Sequence, residues 1–409
     1  MTVDAKNENL LDLTIADLAE KYPEALKLLA ANGCVALVEQ ENLQCYGPIL
    51  RLRTLLKAQG INPDLFLGQL TRPSGITPPL AQASNPSASL NLFALLPCPL
   101  KVPLEEAFGK FLERLPEPER AALTFVIEGN ANNQLDYADY ADHFESLEEM
   151  PDIIVTPGFN SFFHRPFVER FIKTGLFQNV NRYPGEEQLA ALGIVDPEGH
   201  YTMLAMNLLV LVVNHKTLRD RPVPRSWGDL LVPGLAKSIV IRGNRDGSFC
   251  ETLLLTIYQE FGDEGLRRLG ANVSDGWHPS QMVKAAVSGG TDAPAVSVMP
   301  LFFANNLKGR DWLEIVWPVD GALVSPVTML VKEEKCRSLS KVVDFLVGPE
   351  VARICAGAFF PALHPEVDNR LPQAAFKWIG WDYVKNNDLK ALIAATNDAF
   401  GAALKGTAS

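Results

Sequence analysis

Cysteines, histidines and the polar loops that follow apolar runs are where this sequence could do chemistry. Cys98 stands between Pro97 and Pro99, directly after the apolar run Leu90–Leu96, and Cys250 falls in the first turn of an expected helix. A thiol at a helix start tends to have a depressed pKa. With His164 and His278, the two cysteines would form a soft Cys/His site for zinc, nickel, iron or a cluster, brought together only by folding. Small buried thiols and hydrogen-bonded imidazoles are the plainer reading of the same four residues. A second chemistry concerns anions. Ser248 and Ser280 each stand where a helix should begin, and exposed N–H groups with the positive helix end attract negative charge there. Arg245 adds a guanidinium suited to a carboxylate or oxyanion. Plain N-capping is the alternative role for both serines. Asn130, Phe159, Asn160, Phe302 and Phe303 lie in loops after expected strands and complete the ligand-binding set with Cys98, Arg245, Ser248, His278 and Ser280.

Catalytic motifs are missing. The chain holds no Gly-x-Ser-x-Gly elbow, Walker loop, dinucleotide glycine motif or His-Glu-x-x-His. Asp246 and Glu251 make no obvious acid/base pair, so no residue is assigned a catalytic role and the chain reads as a binder.

These residues need a scaffold, and apolar periodicity outlines one. Thr14 precedes Ile15, Leu18, Tyr22, Leu26 and Leu29 at helical spacing, with Gly33 as the stop. Further helices are expected over about 48–59 and 63–70, so residues 1–70 read as a small all-α domain. Residues 71–89, rich in Pro and Ser, read as a linker. From residue 90 to 409, strands alternate with helices, which calls for a largely parallel sheet covered on both faces. The long strand Met203–Val213 suits a passage between two lobes, and Thr328–Val331 suits the return. Lobe one would then hold about 90–213 plus the part after about 325, and lobe two about 214–325. The fold class is α/β, a two-lobed clamshell with ligands in the crevice at the strand C-termini.

Bulk properties agree. The chain has 409 residues, 47% apolar and 21% charged, with 37 Lys+Arg against 48 Asp+Glu and a net charge of -11. An acidic chain lacks the basic stripe of a nucleic-acid binder. Met203–Val213 is too short to cross a bilayer. The opening residues lack the basic start and apolar core of a secretory signal, which reads as cytoplasmic. The six cysteines contain no Cys-x-x-Cys pair and should be thiols.

One stretch carries a family resemblance. Pro224-Arg-Ser-Trp-Gly-Asp-Leu-Leu-Val-Pro-Gly-Leu-Ala-Lys-Ser-Ile-Val-Ile resembles a segment of type 2 periplasmic solute-binding proteins, in particular the ferric-iron group that serves ABC transporters. Asn214, the Gly262–Asn272 segment, Trp317-Pro-Val-Asp-Gly321 and Asp344-Phe-Leu-Val-Gly-Pro-Glu350 fit in the same order. Leu13–Glu24 through Cys34 is similar to the short helical domain of iron–sulfur-cluster-repair di-iron proteins, although Cys45 comes eleven residues after Cys34. Ferric binders of this group hold iron with adjacent tyrosines after the strand corresponding to Ala295–Met299. Here Phe302-Phe303 stands there, and phenyl rings offer no anionic oxygen to a hard ion.

The resemblance implies a binder of a small anion, metal ion or metal complex, closing by hinge motion. No cofactor follows from the residues, beyond a metal ion or complex as the ligand itself. The work expected is cytoplasmic sensing or handover, with the helical domain as a docking or redox element for a protein partner. An enzyme on the same fold, of the pyrimidine-synthesising or thiamine-cleaving type, is the alternative, with Cys98 or Cys250 as nucleophile.

Overall fold

The computed structural model describes residues 10–32, 34–70, 90–129, 137–181, 183–243, 247–290 and 293–406. Strands β1 (Leu92–Leu96), β2 (Phe125–Gly129) and β3 (Ile153–Pro157) pair in parallel in the order β2-β1-β3. The long strands β4 (Thr202–Asn214) and β9 (Ala322–Val331) follow, β9 lying antiparallel between β3 and β4. Beyond them come β7 (Val296–Pro300), β5 (Ile239–Arg242) and β6 (Val273–Trp277), parallel to one another. β8 (Leu313–Val316) pairs with β4, and the short β10 (Phe376–Lys377) with β9. One sheet therefore runs through both lobes, and β4 and β9 carry it across, as their unbroken apolar runs require.

Register shows where the crevice falls. Pro157, the end of β3, pairs with Val327, which itself pairs with Ala205 on β4. Pro300, the end of β7, pairs with Leu209 on the same strand. The carboxyl ends of the parallel strands of both lobes thus face each other over the short stretch of β4 from Ala205 to Leu209, the place where open α/β sheets bind ligands.

β1 alternates between two cores. Leu92, Ala94 and Leu96 pack under the helix Cys98–Glu113 and the helices Ser340–Leu346 and Pro349–Gly357. Phe93 and Leu95 face the other way, into a core that includes Ile15, Leu18, Leu29, Tyr46, Leu52 and Leu55. The N-terminal helices Ile15–Lys21, Pro23–Ala31, Gln40–Tyr46, Leu52–Ala58 and Pro63–Leu70 therefore cover one face of lobe one. Tyr46 meets Phe93 edge-on at 6.3 Å. Thr54 donates to Glu149 at 2.6 Å, Lys57 pairs with Glu145 at 2.5 Å, and Arg51 donates to the Glu148 carbonyl at 3.0 Å.

Local expectations meet mixed outcomes. Thr14 caps the first helix, its hydroxyl accepting from the Asp17 N–H at 3.1 Å. Pro23 divides the expected first helix in two, because a proline has no N–H for an ongoing ladder. Gly33 and the linker 71–89 lie outside the described residues. A 3₁₀ run, Tyr137–His143, precedes the buried Phe144. The helix expected from Ser248 begins instead at Glu251 with Cys250 as its N-cap, and bends at Gly262 (φ 59°) before ending at Asn272. No helix among the described residues is long and apolar enough to cross a membrane.

Candidate functional site

The crevice is built from the strand ends. β3 delivers Pro157, Gly158, Phe159 and Asn160 from lobe one; β5 delivers Arg242 from lobe two, and the helix Glu251–Asn272 begins beside it. Arg242 Nη2 donates to Glu251 Oε2 at 2.6 Å, and the Arg242 carbonyl accepts from the Cys250 N–H at 3.0 Å. Both side chains of the pair are partly buried. The Glu251 carboxylate raises the Arg242 pKa above its ordinary value, so the guanidinium stays charged. The other carboxylate oxygen, Oε1, lies over Gly158: a Cβ added there would sit 2.6 Å from it. Gly158 has φ +73°, and its N–H donates to Pro326 of β9 at 2.7 Å. A charged pair of lobe two thus abuts the bare backbone of lobe one.

His278 stands at the end of β6. Its Nδ1 accepts from the Ser280 N–H at 3.2 Å and its own N–H donates to Gln281 at 2.9 Å, a reciprocal capping box for the helix Pro279–Ser288. Partial burial, and then the charge of Arg242, hold its pKa below the usual imidazole value, so it stays neutral near pH 7. Phe303 lies 6.4 Å from the His278 ring and 5.2 Å from Phe302, both in the first turn of the helix Leu301–Asn305. Phe302 reaches across to pack against the lobe-one core.

Several expected site residues hold other positions. Asn130 and Arg245 lie outside the described residues. Phe159 is buried, stacked on Trp378 at 5.6 Å and edge-on to Phe163 at 5.7 Å, so it is core as well as crevice floor. Asn160 shapes its own turn, accepting from the Phe162 N–H and donating to the Pro157 carbonyl. Ser248 is not the start of a helix, and Ser280 is one residue inside a helix that His278 caps. Trp277 lines a separate cavity of about 500 Å³ in lobe two, with Arg221, Lys237 and Ser274.

The soft metal site does not assemble. His164 is buried against Asp142 at 3.3 Å, and Lys390 approaches the same carboxylate at 2.6 Å. Cys98 is exposed at the start of its helix, whereas Cys250 is buried. Burial, and then Glu251, push the Cys250 thiol up, against the pull of Arg242, so it is a poor thiolate and a poor nucleophile. Among the described residues no three of His, Cys, Asp and Glu gather to hold a metal ion. In the helical segment, burial raises the Cys34 thiol, and burial, then Glu128, push Cys45 up to about 11.

The recognisable motifs turn out to bind one another. Trp227 is fully buried, and its indole N–H donates to the Gly321 carbonyl at 2.7 Å. Its backbone N–H reaches Asp320. Asn272 donates to the carbonyls of Leu230 and Val232, each at 2.8 Å. Three separated segments are stitched together, and their residue types answer to that. The ion pair Arg242–Glu251 left only a faint mark in the sequence, an arginine closing the apolar strand Ile239–Ile241 and a carboxylate nine residues on.

Residues 148–387 match a protein family described as bacterial extracellular solute-binding protein. No curated protein matches the chain. Among solved structures, the ferric binding protein from Campylobacter jejuni is similar with a TM-score of 0.54 at 14% identity, covering 76% of this chain and 99% of that one. The Trichodesmium protein IdiA (FutA), in complex with iron and citrate, gives 0.52 at 15% identity, covering 77% and 99%. The substrate-binding protein of an ABC transporter from Agrobacterium tumefaciens gives 0.51 at 16%, covering 77% and 96%. At these identities the likeness is one of fold.

Proposed function

Because the chain belongs to the bacterial extracellular solute-binding protein family, we propose that its crevice captures a small anionic solute, with a ferric chelate such as ferric citrate as the leading candidate. The observation that carries this reading is Arg242, a partly buried guanidinium at the carboxyl end of β5, held on Glu251, whose other carboxylate oxygen lies against Gly158 of the opposite lobe. A guanidinium in such a place offers paired N–H donors to a carboxylate or other oxyanion. The names of the structural neighbours point toward iron, and one of them toward iron with citrate.

The chelate, rather than the bare ion, follows from the donors. Phe302 and Phe303 stand where phenolates would be wanted, and among the described residues no three of His, Cys, Asp and Glu gather to hold a metal ion. An iron that arrives already wrapped by carboxylates needs only charge and shape from the protein. Closure would proceed by rotation about β4 and β9, the strands that join the lobes. The cytoplasmic expectation gives way in this reading to the family's description as extracellular, with substrate binding for an ABC transporter as the role that the Agrobacterium neighbour's name carries. The enzyme alternative finds no support in the family or in the named neighbours, which are described as binding proteins, and of its two thiols Cys250 is buried while Cys98 is exposed.

The test is titration of the purified protein with ferric citrate, with citrate alone and with ferric ion held by a non-carboxylate chelator. Tryptophan fluorescence would report binding, native mass spectrometry the bound mass, and small-angle scattering the closure. Saturable binding of ferric citrate with a more compact particle is expected. No binding of any of the three sinks the proposal.

A further inference from the structure

The helix Leu389–Leu404 lies beyond the segment matched to the family, and it touches both lobes. Its first residue, Leu389, is buried in the core that lobe one shares with the N-terminal helices, and Lys390 reaches Asp142 at 2.6 Å. Its far end belongs to lobe two, where Phe400 is buried with Cys250 and Leu253. The helix packs closely along Glu251–Asn272: a Cβ on Gly270 would lie 2.6 Å from the Ala403 Cβ.

Between these ends, Asn397 uses both halves of its amide on one loop. Its Oδ1 accepts from the Phe249 N–H at 3.0 Å, and its Nδ2 donates to the Gly247 carbonyl at 3.3 Å. The Phe249 ring meets Phe400 edge-on at 4.7 Å, and Phe249 pairs with Gly243 as an isolated antiparallel bridge. Cys250 then donates to the Arg242 carbonyl, and Glu251 takes the Arg242 guanidinium. Gly247, Phe249, Cys250 and Glu251 are thus each fastened either to the end of β5 or to the last helix.

We infer that Asn397 is a positioning residue for the crevice: by holding Gly247 and Phe249 it sets the start of the helix Glu251–Asn272, and through it the Arg242–Glu251 pair. The affinity for the anion then depends on a side chain that never touches it. This rests on the reading of the crevice as the binding site, and the experiment separates the two.

Hydrogen exchange of the ligand-free full chain is compared for wild type, Asn397→Ala and Asn397→Asp, beside ferric citrate affinity and the thermal midpoint. Asn397→Ala should speed exchange at the Phe249 and Cys250 amides about fivefold or more, the scale of one lost hydrogen bond. Ferric citrate affinity should weaken by a similar factor. Asn397→Asp keeps the acceptor, and should restore protection at Phe249. Unchanged exchange at Phe249 in Asn397→Ala overturns the inference, as does unchanged affinity with a loosened loop. Equal loss of protection along all of Leu389–Leu404 also overturns it, since that is mere helix instability. Should wild type bind no ferric citrate, the functional reading falls, and exchange at Phe249 still decides whether Asn397 sets the loop.

Discussion

Glu251 Oε1 lies so close over Gly158 that a methyl group on the glycine would stand 2.6 Å from it. The contact joins the two lobes at the point where the strands of each end. Gly158 also holds a left-handed backbone, φ +73°. Gly158→Ala should therefore cost about 1 to 2 kcal/mol in backbone strain and displace the Glu251 carboxylate, the movable end of its side chain. Thermal unfolding would show a lower midpoint; an unchanged midpoint refutes the strained glycine.

Arg242 and Glu251 should act with opposite sign on anion binding. Arg242→Ala removes a charge-assisted donor, at about 2 kcal/mol or roughly thirtyfold in Kd. Glu251→Gln leaves the guanidinium without its resident carboxylate and should tighten binding several-fold. Calorimetric titration with ferric citrate decides, and equal weakening by both variants would mean that the pair is structural.

His278 reports the same field. Its pKa sits below the usual value through partial burial and then the Arg242 charge. Protons therefore go to the unfolded chain first as pH falls through the ordinary imidazole range, and the His278 contribution declines there. Arg242→Ala removes one positive neighbour and should move the His278 titration upward in an NMR pH series. An unchanged titration would show that the two do not interact.

Acid stability should centre on Asp196. Burial alone would raise its pKa, but Lys385 and the N–H groups of Tyr201, His200 and Glu198 hold it below the ordinary carboxylate range. Its contribution is complete above the unfolded pKa of about 4 and disappears as pH falls through the folded value. Asp196→Asn should lower stability near pH 7 by about 1 to 3 kcal/mol, with a shallower acid limb in denaturant titrations. An unchanged acid limb would place the acid sensitivity elsewhere.

The N-terminal helices should not be removable. Tyr46 is 1% exposed and packs on Phe93 of β1, so Tyr46→Ala should cost about 3 to 4 kcal/mol. A chain beginning at residue 90 would expose Phe93, Leu95 and Ile154, and should bind hydrophobic dye or aggregate. A soluble, cooperatively unfolding fragment with full ligand affinity would make the segment an independent domain after all.

Much of this was legible from residue order alone. The clamshell and the crossing strand, read as Met203–Val213, were visible because a strand buried on both faces must be continuously apolar, but of its return, Ala322–Val331, only Thr328–Val331 was. The motif around Trp227 was visible too, although its tryptophan and asparagine bind other motif segments rather than a ligand. The crevice residues were mostly not. Asn160, Ser280 and His278 have the types of ligand residues, yet their polar atoms are engaged in turns and caps, which the same types serve equally well.

What local pattern determined was periodicity: which segments are helix or strand, and therefore that two αβ lobes share long strands. What only the tertiary structure decided was which polar groups meet. Glu251 faces Gly158, and Asn397 fastens Phe249, because sheet register and helix packing bring distant residues together, and such pairs leave no periodic trace in the chain. The N-terminal helices read as a separate unit because a linker-like composition follows them. Their apolar faces nevertheless needed covering, and the exposed side of β1 needed the same, so the two now form one core.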